Sequence, residues 1–241
     1  MDELRFVPAG DKAFVIEMGT GISPEINRKV HNLFMAIEKQ GIPGVLDMVP
    51  TYRSLLINYD PLTLPSNELE ERIRELTQDL DETPSGASKV VELPTVYGGD
   101  HGPDLGHVAE HNGLTEEEVI TLHSGADYLV YMMGFTPGFT YLGGMSEKIA
   151  TPRLQTPRTA IPAGSVGIAE RQTGVYPIES PGGWQLIGRT PVQLFDPSKQ
   201  PPVIAEPGDY IRFVPVSPEE YGRIYEEVRS GVYQPASYPA E

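Results

Sequence analysis

Between residues 132 and 190 the chain reads MMGFTPGFTYLGGMSEKIATPRLQTPRTAIPAGSVGIAERQTGVYPIESPGGWQLIGRT, with glycine or proline every few positions. Proline fixes φ and removes a backbone donor, and glycine opens the left-handed region. Such a stretch forbids long helices and prescribes set turns between short extended pieces. What remains possible is an irregular β surface with aromatic and arginine side chains at its turns. The stretch holds five cations (Lys148, Arg153, Arg158, Arg171, Arg189) against three anions (Glu147, Glu170, Glu179). In a chain of formal net charge -16, that local excess draws a small anion to the most constrained part of the backbone.

The remaining composition mostly excludes. A length of 241 residues fits a sizeable core and two domains. The absence of cysteine rules out disulfides, thiolate metal ligands and a cysteine nucleophile, and fits a reducing compartment. The opening MDELRFVPAGDKAF has no apolar leader, and no run approaches the ~18 apolar residues of a membrane span, so a cytoplasmic protein is expected. The acidic balance argues against nucleic acid and anionic membranes as partners, because both demand clustered Lys and Arg.

Taken in order, residues 4–18 alternate as two short strands around Gly10 and Asp11. Ser23 and Pro24 open a helix whose Ile26, Val30, Leu33, Phe34 and Ile37 form one stripe before Gly41 stops it. Residues 44–49 and 52–59 read as a strand pair, and Ser66 caps a second helix carrying Leu69, Ile73, Leu76 and Leu80. The order ββαββα predicts a small α+β domain over residues 1–82. Pro, Gly and Ser without apolar content mark residues 83–88 as a linker. Beyond it come a strand at 91–95, a short helix capped by Asp104, and a helix opened by the Thr115/Glu118 capping box and ending near His123. An interior strand follows at 128–133. Strands at 191–195 and 210–216 and a helix capped by Ser217 close the pattern, with the last ten residues irregular. Many short strands and turns predict a closed β-barrel over residues 89–216, inside a second domain of residues 89–241.

Several signals carry chemistry. His107 to His111 spells H-x-x-E-H, the inverted zinc-protease pattern, but Leu105, Val108 and Ala109 claim the buried face of that short helix, so no metal site is expected. Ala163-Gly164-Ser165-Val166-Gly167 approaches a nucleophile elbow without its first glycine or its following helix, which makes Ser165 a hydrogen-bond donor to a ligand or a turn. Arg153 and Arg158 each follow a proline, and Arg189 sits on a strand segment. Guanidinium groups suit bidentate contact with carboxylate or phosphate, and the alternative is pairing with the chain's own surplus carboxylates. Phe135, Phe139, Tyr141, Tyr176 and Trp184 fit either a core or a groove wall, and Trp184, after Pro181-Gly182-Gly183, fits a wall or a subunit contact. There is no Walker A or G-x-G-x-x-G motif.

The series P-R-x-x-x-P-R-x-x-x-P-A-G-S-V, then Q-T-G-V-Y-P, then P-G-G-W-x-x-I-G-R-T runs unbroken through residues 152–190, preceded by G-F-x-P-G-F-x-Y-L at 134–142. It resembles the 5-oxoprolinase B-subunit family, also described as allophanate hydrolase subunit 1 and as the sporulation-kinase inhibitor family, with Val175 a conservative departure. The resemblance implies an α+β amino-terminal domain plus a mainly-β cyclophilin-like barrel domain. It further implies a B-type subunit that pairs with a C-type subunit of related fold and an A-type subunit, coupling ATP hydrolysis to opening of 5-oxoproline. ATP, with Mg, is then bound by the assembly rather than by this chain alone. Opening a lactam through phosphorylation of its amide oxygen calls for arginine or metal stabilisation. On this reading Arg158 and Arg189 are catalytic, and Arg153, Ser165, Gln172, Tyr176, Phe135, Trp184 and His123 bind substrate, the histidine being part of the family pattern. The same resemblance leaves open an inhibitor of a sporulation histidine kinase and a urea or allophanate amidolyase component.

Overall fold

The computed structural model describes residues 4–78 and 88–240. The chain falls into two compact units that divide between Gly86 and Ala87. Residues 83–87 of the expected linker, and Leu80, lie outside the described residues.

The first unit comprises β1 (Arg5–Pro8), β2 (Ala13–Glu17), α1 (Pro24–Gln40), β3 (Val45–Pro50), β4 (Ser54–Tyr59) and α2 (Ser66–Gln78). Its sheet has the order β1-β2-β4-β3, antiparallel throughout. α1 begins as its sequence prescribes: Ser23 Oγ accepts from the Ile26 N–H, and Gly41 ends the helix in the left-handed region at φ 57°. Ser66 is not the cap of α2; it already lies in the helix, whose Leu69 N–H bonds the Pro65 carbonyl. Ile16, Leu55 and Ile57 of the sheet meet Val30, Leu33, Leu69 and Ile73 of the helices in one buried core.

The second unit comprises β5 (Lys89–Tyr97), α3 (Leu105–Asn112), α4 (Glu116–Ser124), β6 (Asp127–Met133), β7 (Thr140–Gly143), β8 (Arg158–Ile161), β9 (Ser165–Ala169), β10 (Gln172–Val175), β11 (Ser180–Gly182), β12 (Gln185–Arg189), β13 (Tyr210–Pro215), α5 (Pro218–Arg229) and β14 (Ser237–Pro239). Eight strands form one sheet in the order β10-β9-β12-β5-β13-β6-β7, with β14 added to β5; only β5 and β13 run parallel. The sheet curls until its ends meet: a Cβ added to Gly174 of β10 would lie 3.6 Å from the Thr140 carbonyl oxygen of β7. No ladder joins these strands among the described residues, so the barrel is nearly closed rather than closed as the strand count predicted. Val166, Ile168, Val175, Leu142, Ile211 and Phe213 point inward, onto Leu105 and Val108 of α3 and Val119 of α4.

Two expectations fail here. Val192 and Leu194 alternate with exposed Gln193 as a strand would, but the Val192 N–H goes to Thr190 Oγ1, and only an isolated Phe195–Val203 bridge forms. Residues 237–239, expected to be irregular, pair with β5 as β14.

Candidate functional site

Register decides which side chains leave the barrel. Directly opposed residues share a face, and Gly167 of β9 stands opposite Gly174 of β10 and Leu186 of β12. The two glycines leave the outer face bare, and Trp184 lies over it. A Cβ at Gly174 would meet the Trp184 ring at 3.3 Å, and one at Gly167 would meet Trp184 Cβ at 3.2 Å. Phe139, Tyr176 and Trp184 contact one another edge to face, with centroids 5.9 to 6.3 Å apart. Tyr141 and the exposed Phe135 extend the cluster at 5.4 and 5.2 Å from Phe139. A two-stranded ribbon of β8 and β11 lies above, contributing Ile161. The fit of ribbon to cluster depends on Gly182, where any Cβ would overlap the Tyr176 hydroxyl.

Two arginines lie beside this aromatic cluster. The chain around Arg153 is held on both sides, by Gln185 Nε2 donating to the Pro152 carbonyl at 2.8 Å and by the Leu154 N–H donating to the Gly183 carbonyl at 2.7 Å. Arg153 itself is exposed and makes no ion pair or side-chain hydrogen bond among the described residues. Arg158 is engaged: Nη2 donates to Asp104 Oδ1 at 2.7 Å and Nη1 to the Trp184 carbonyl at 3.3 Å. Burial pushes the Tyr176 hydroxyl above its usual range, opposed by a hydrogen bond from the Trp184 backbone and by the charges of Arg153 and Arg158. Both guanidinium groups therefore act on one hydroxyl. Arg153 and Phe135 form the exposed edge of the cluster, where the guanidinium suits a small anion.

The chain matches, over residues 4–205, the family described as "Carboxyltransferase domain, subdomain C and D". The B subunit of the 5-oxoprolinase of Bacillus subtilis is 44% identical over 232 residues, covering 90% of this chain and 95% of that protein. The chain belongs to the 5-oxoprolinase B-subunit family. A conserved uncharacterized protein from Pyrococcus horikoshii, of known crystal structure, is 51% identical with a TM-score of 0.54, covering 90% of this chain and 100% of that one. The K. lactis urea amidolyase shares the fold, with a TM-score of 0.79 at 21% identity over 98% of this chain and 16% of its own.

Of the residues that resemblance to the B-subunit family singles out, the structure brings Arg153, Arg158, Phe135, Tyr176 and Trp184 to one aromatic cluster. In it Tyr176 and Trp184 are buried as a core would bury them rather than lining an open wall, while Phe135 and Arg153 are exposed at its edge. Gln172 lies on the same outer face, opposite Ala169. Ser165 and Arg189 oppose each other at the far end of that face. Arg189 comes five residues after Trp184, about 15 Å of strand away, and its Nε donates to the Ala163 carbonyl at 2.9 Å while its charge acts on Tyr221 of α5. Arg158 and Arg189 are thus not one cluster, and Arg158 meets the protein's own carboxylate rather than standing free for a ligand.

His123 is a correction: it is fully buried inside the barrel, not in the groove. Its Nδ1 lies 2.8 Å from the Tyr97 hydroxyl and its Nε2 2.7 Å from Thr173 Oγ1, and burial holds its pKa down to about 3. Sequence reasoning missed Asp104, Gln185 and Gly182, which hold the groove together through contacts distant in sequence. His107 and His111 are exposed with rings 6.2 Å apart, and no group of three or more metal-ligating side chains occurs among the described residues. Nor, among those residues, is any helix long and apolar enough to cross a membrane.

Proposed function

We propose that this chain is the B-type component of an ATP-dependent 5-oxoprolinase, and that Arg153, Arg158 and the exposed Phe135 line a groove that holds 5-oxo-L-proline. The observation that carries the reading is the unpaired guanidinium of Arg153, held by its backbone beside a cluster of three mutually packed aromatic rings. A five-membered lactam offers an apolar ring edge to the exposed Phe135 and a single carboxylate to the arginine. The Tyr176 hydroxyl, which burial moves further from ionisation, is a donor suited to the lactam carbonyl. This chain's part is to bind, orient and exclude water.

The groove does not fit Mg-ATP. Its carboxylate, Asp104, already accepts from Arg158 at one oxygen and from the Leu186 N–H at the other, and the guanidinium at 2.7 Å disfavours a divalent cation beside it. ATP is therefore assigned to the assembly with A- and C-type subunits, this chain supplying only part of the complete site.

Trp184 is the sole tryptophan, buried against Phe139, on which the exposed Phe135 packs, with its carbonyl bound to Arg158, so its emission reports on occupancy. Titrating the full chain with 5-oxo-L-proline should change that emission saturably, urea should not, and Arg153→Ala should weaken the response. Mixing with A- and C-type subunits should yield 5-oxoproline-dependent ADP release that the chain alone lacks. An emission indifferent to 5-oxo-L-proline, together with normal turnover by Arg153→Ala in the mixture, would overturn the reading.

A further inference from the structure

We propose that Asp104 sets the specificity of the groove: it fixes Arg158 against the Trp184 carbonyl and cancels its charge, leaving Arg153 as the groove's uncompensated cation, so that the groove takes a ligand with a single carboxylate. The inference rests on the groove being the ligand site. Asp104 stands at the N-cap of α3, where an aspartate ordinarily accepts from the first-turn N–H groups. It makes no such bond. Its Oδ2 instead accepts from the Leu186 N–H at 2.6 Å and its Oδ1 from Arg158 Nη2 at 2.7 Å, reaching residues 82 and 54 positions away. A local preference given up for a distant charge pair marks a position serving something other than its helix.

The carboxylate cannot drift after the arginine, because the loop that carries it is fastened to β12. The Gly98 N–H donates to the Ile187 carbonyl at 3.0 Å and the Asp104 N–H to the Leu186 carbonyl at 2.9 Å. Any side chain at Gly102 would overlap the Ile187 carbonyl, which keeps the loop flat against the strand. Arg158 must therefore come to Asp104, and in doing so its second nitrogen reaches the Trp184 carbonyl at 3.3 Å. With the pair half-shielded from water, most of the Arg158 charge is compensated before a ligand arrives.

The test uses the full chain with Trp184 emission as readout and two probes, 5-oxo-L-proline with one carboxylate and glutarate with two. Asp104→Asn keeps an acceptor for the Leu186 N–H and removes the charge, and its cooperative thermal unfolding checks that it folds. The wild type should prefer 5-oxo-L-proline, and Asp104→Asn should shift the affinity ratio toward glutarate by about tenfold or more. Adding Arg158→Ala should abolish that shift, since Asp104 acts through Arg158. An unchanged ratio in Asp104→Asn, or an equal shift with Arg158 removed, overturns the proposal. Should neither ligand move wild-type emission, the groove reading fails separately. The Asp104 claim is then decided by quenching: iodide relative to neutral acrylamide must gain on Trp184 in Asp104→Asn and not in the double variant, and an unchanged ratio overturns it.

Discussion

His123 Nε2 lies 2.7 Å from Thr173 Oγ1, and the proton in that bond belongs to the histidine. Thr173 Oγ1 donates to the Gly167 carbonyl at 3.0 Å, so it can only accept from the ring. Nδ1 is then left as the acceptor for the Tyr97 hydroxyl at 2.8 Å. The relay ties α4 to β5, β9 and β10 through a neutral imidazole, which is why this residue stabilises the barrel rather than meeting a substrate.

Acid should therefore weaken the barrel early. The folded-state pKa of His123 is held near 3 by burial against about 6.5 unfolded. The unfolded chain takes up a proton that the native state refuses, so this contribution is whole above pH 6.5 and is lost as pH falls toward 3. The loss should reach about 2 to 3 kcal/mol by pH 4.5. Urea unfolding at pH 7 and pH 4.5 measures it, and His123→Gln should flatten the difference.

Thr173→Val should cost about 1 to 3 kcal/mol at neutral pH, because it leaves the buried His123 N–H unpaired. Denaturant midpoints of variant and wild type at constant slope give the number. A cost under ~0.5 kcal/mol, typical of a neutral surface change, would mean that the ring finds another acceptor.

Gly182→Ala should injure the groove while sparing the barrel. The added Cβ overlaps the Tyr176 hydroxyl and crowds Ile161 Cδ1 at 2.9 Å, so the ribbon must lift or the tyrosine must turn. At least a tenfold loss in 5-oxo-L-proline affinity, about 1.4 kcal/mol, is expected. Trp184 emission titration measures it, with far-UV circular dichroism unchanged.

Arg153→Ala should raise the KM of the reconstituted assembly for 5-oxo-L-proline by about tenfold, as loss of a charge-assisted contact at a partly hydrated rim implies. Arg72→Ala is the control. Arg72 pairs with Glu68 on the exposed face of α2, and its loss should change steady-state rates by less than about twofold.

Much of the fold was legible where the signal is local. Ser23, Pro24 and Gly41 bound α1, and Thr115 with Glu118 forms the capping box of α4, as their spacing required. The failures are non-local. Val192 and Leu194 show a strand's alternation because burial alternates, yet pairing depends on whether a neighbour offers a free edge. Asp104 read as a cap because its sequence neighbours are a helix, while its partners arrive from β8 and β12. His123 read as a site residue from resemblance alone, and nothing in its spacing distinguishes a barrel interior from a groove. The arginines were legible as candidates, but which one is already paired depends on a carboxylate 54 positions away.

The aromatic cluster also spans the seam of the barrel. Phe139 immediately precedes β7, and the Trp184 ring covers Gly174 of β10, the two sheet ends that no ladder joins among the described residues. The contact of these two buried rings fastens those ends together, and a molecule bound at the edge of the cluster would tighten it, so occupancy and closure of the cylinder become one event. The filled barrel should melt later and exchange its β7 and β10 amides more slowly than the empty one. By the same coupling, a neighbouring protein that levers the two strands apart would expel the occupant without touching it.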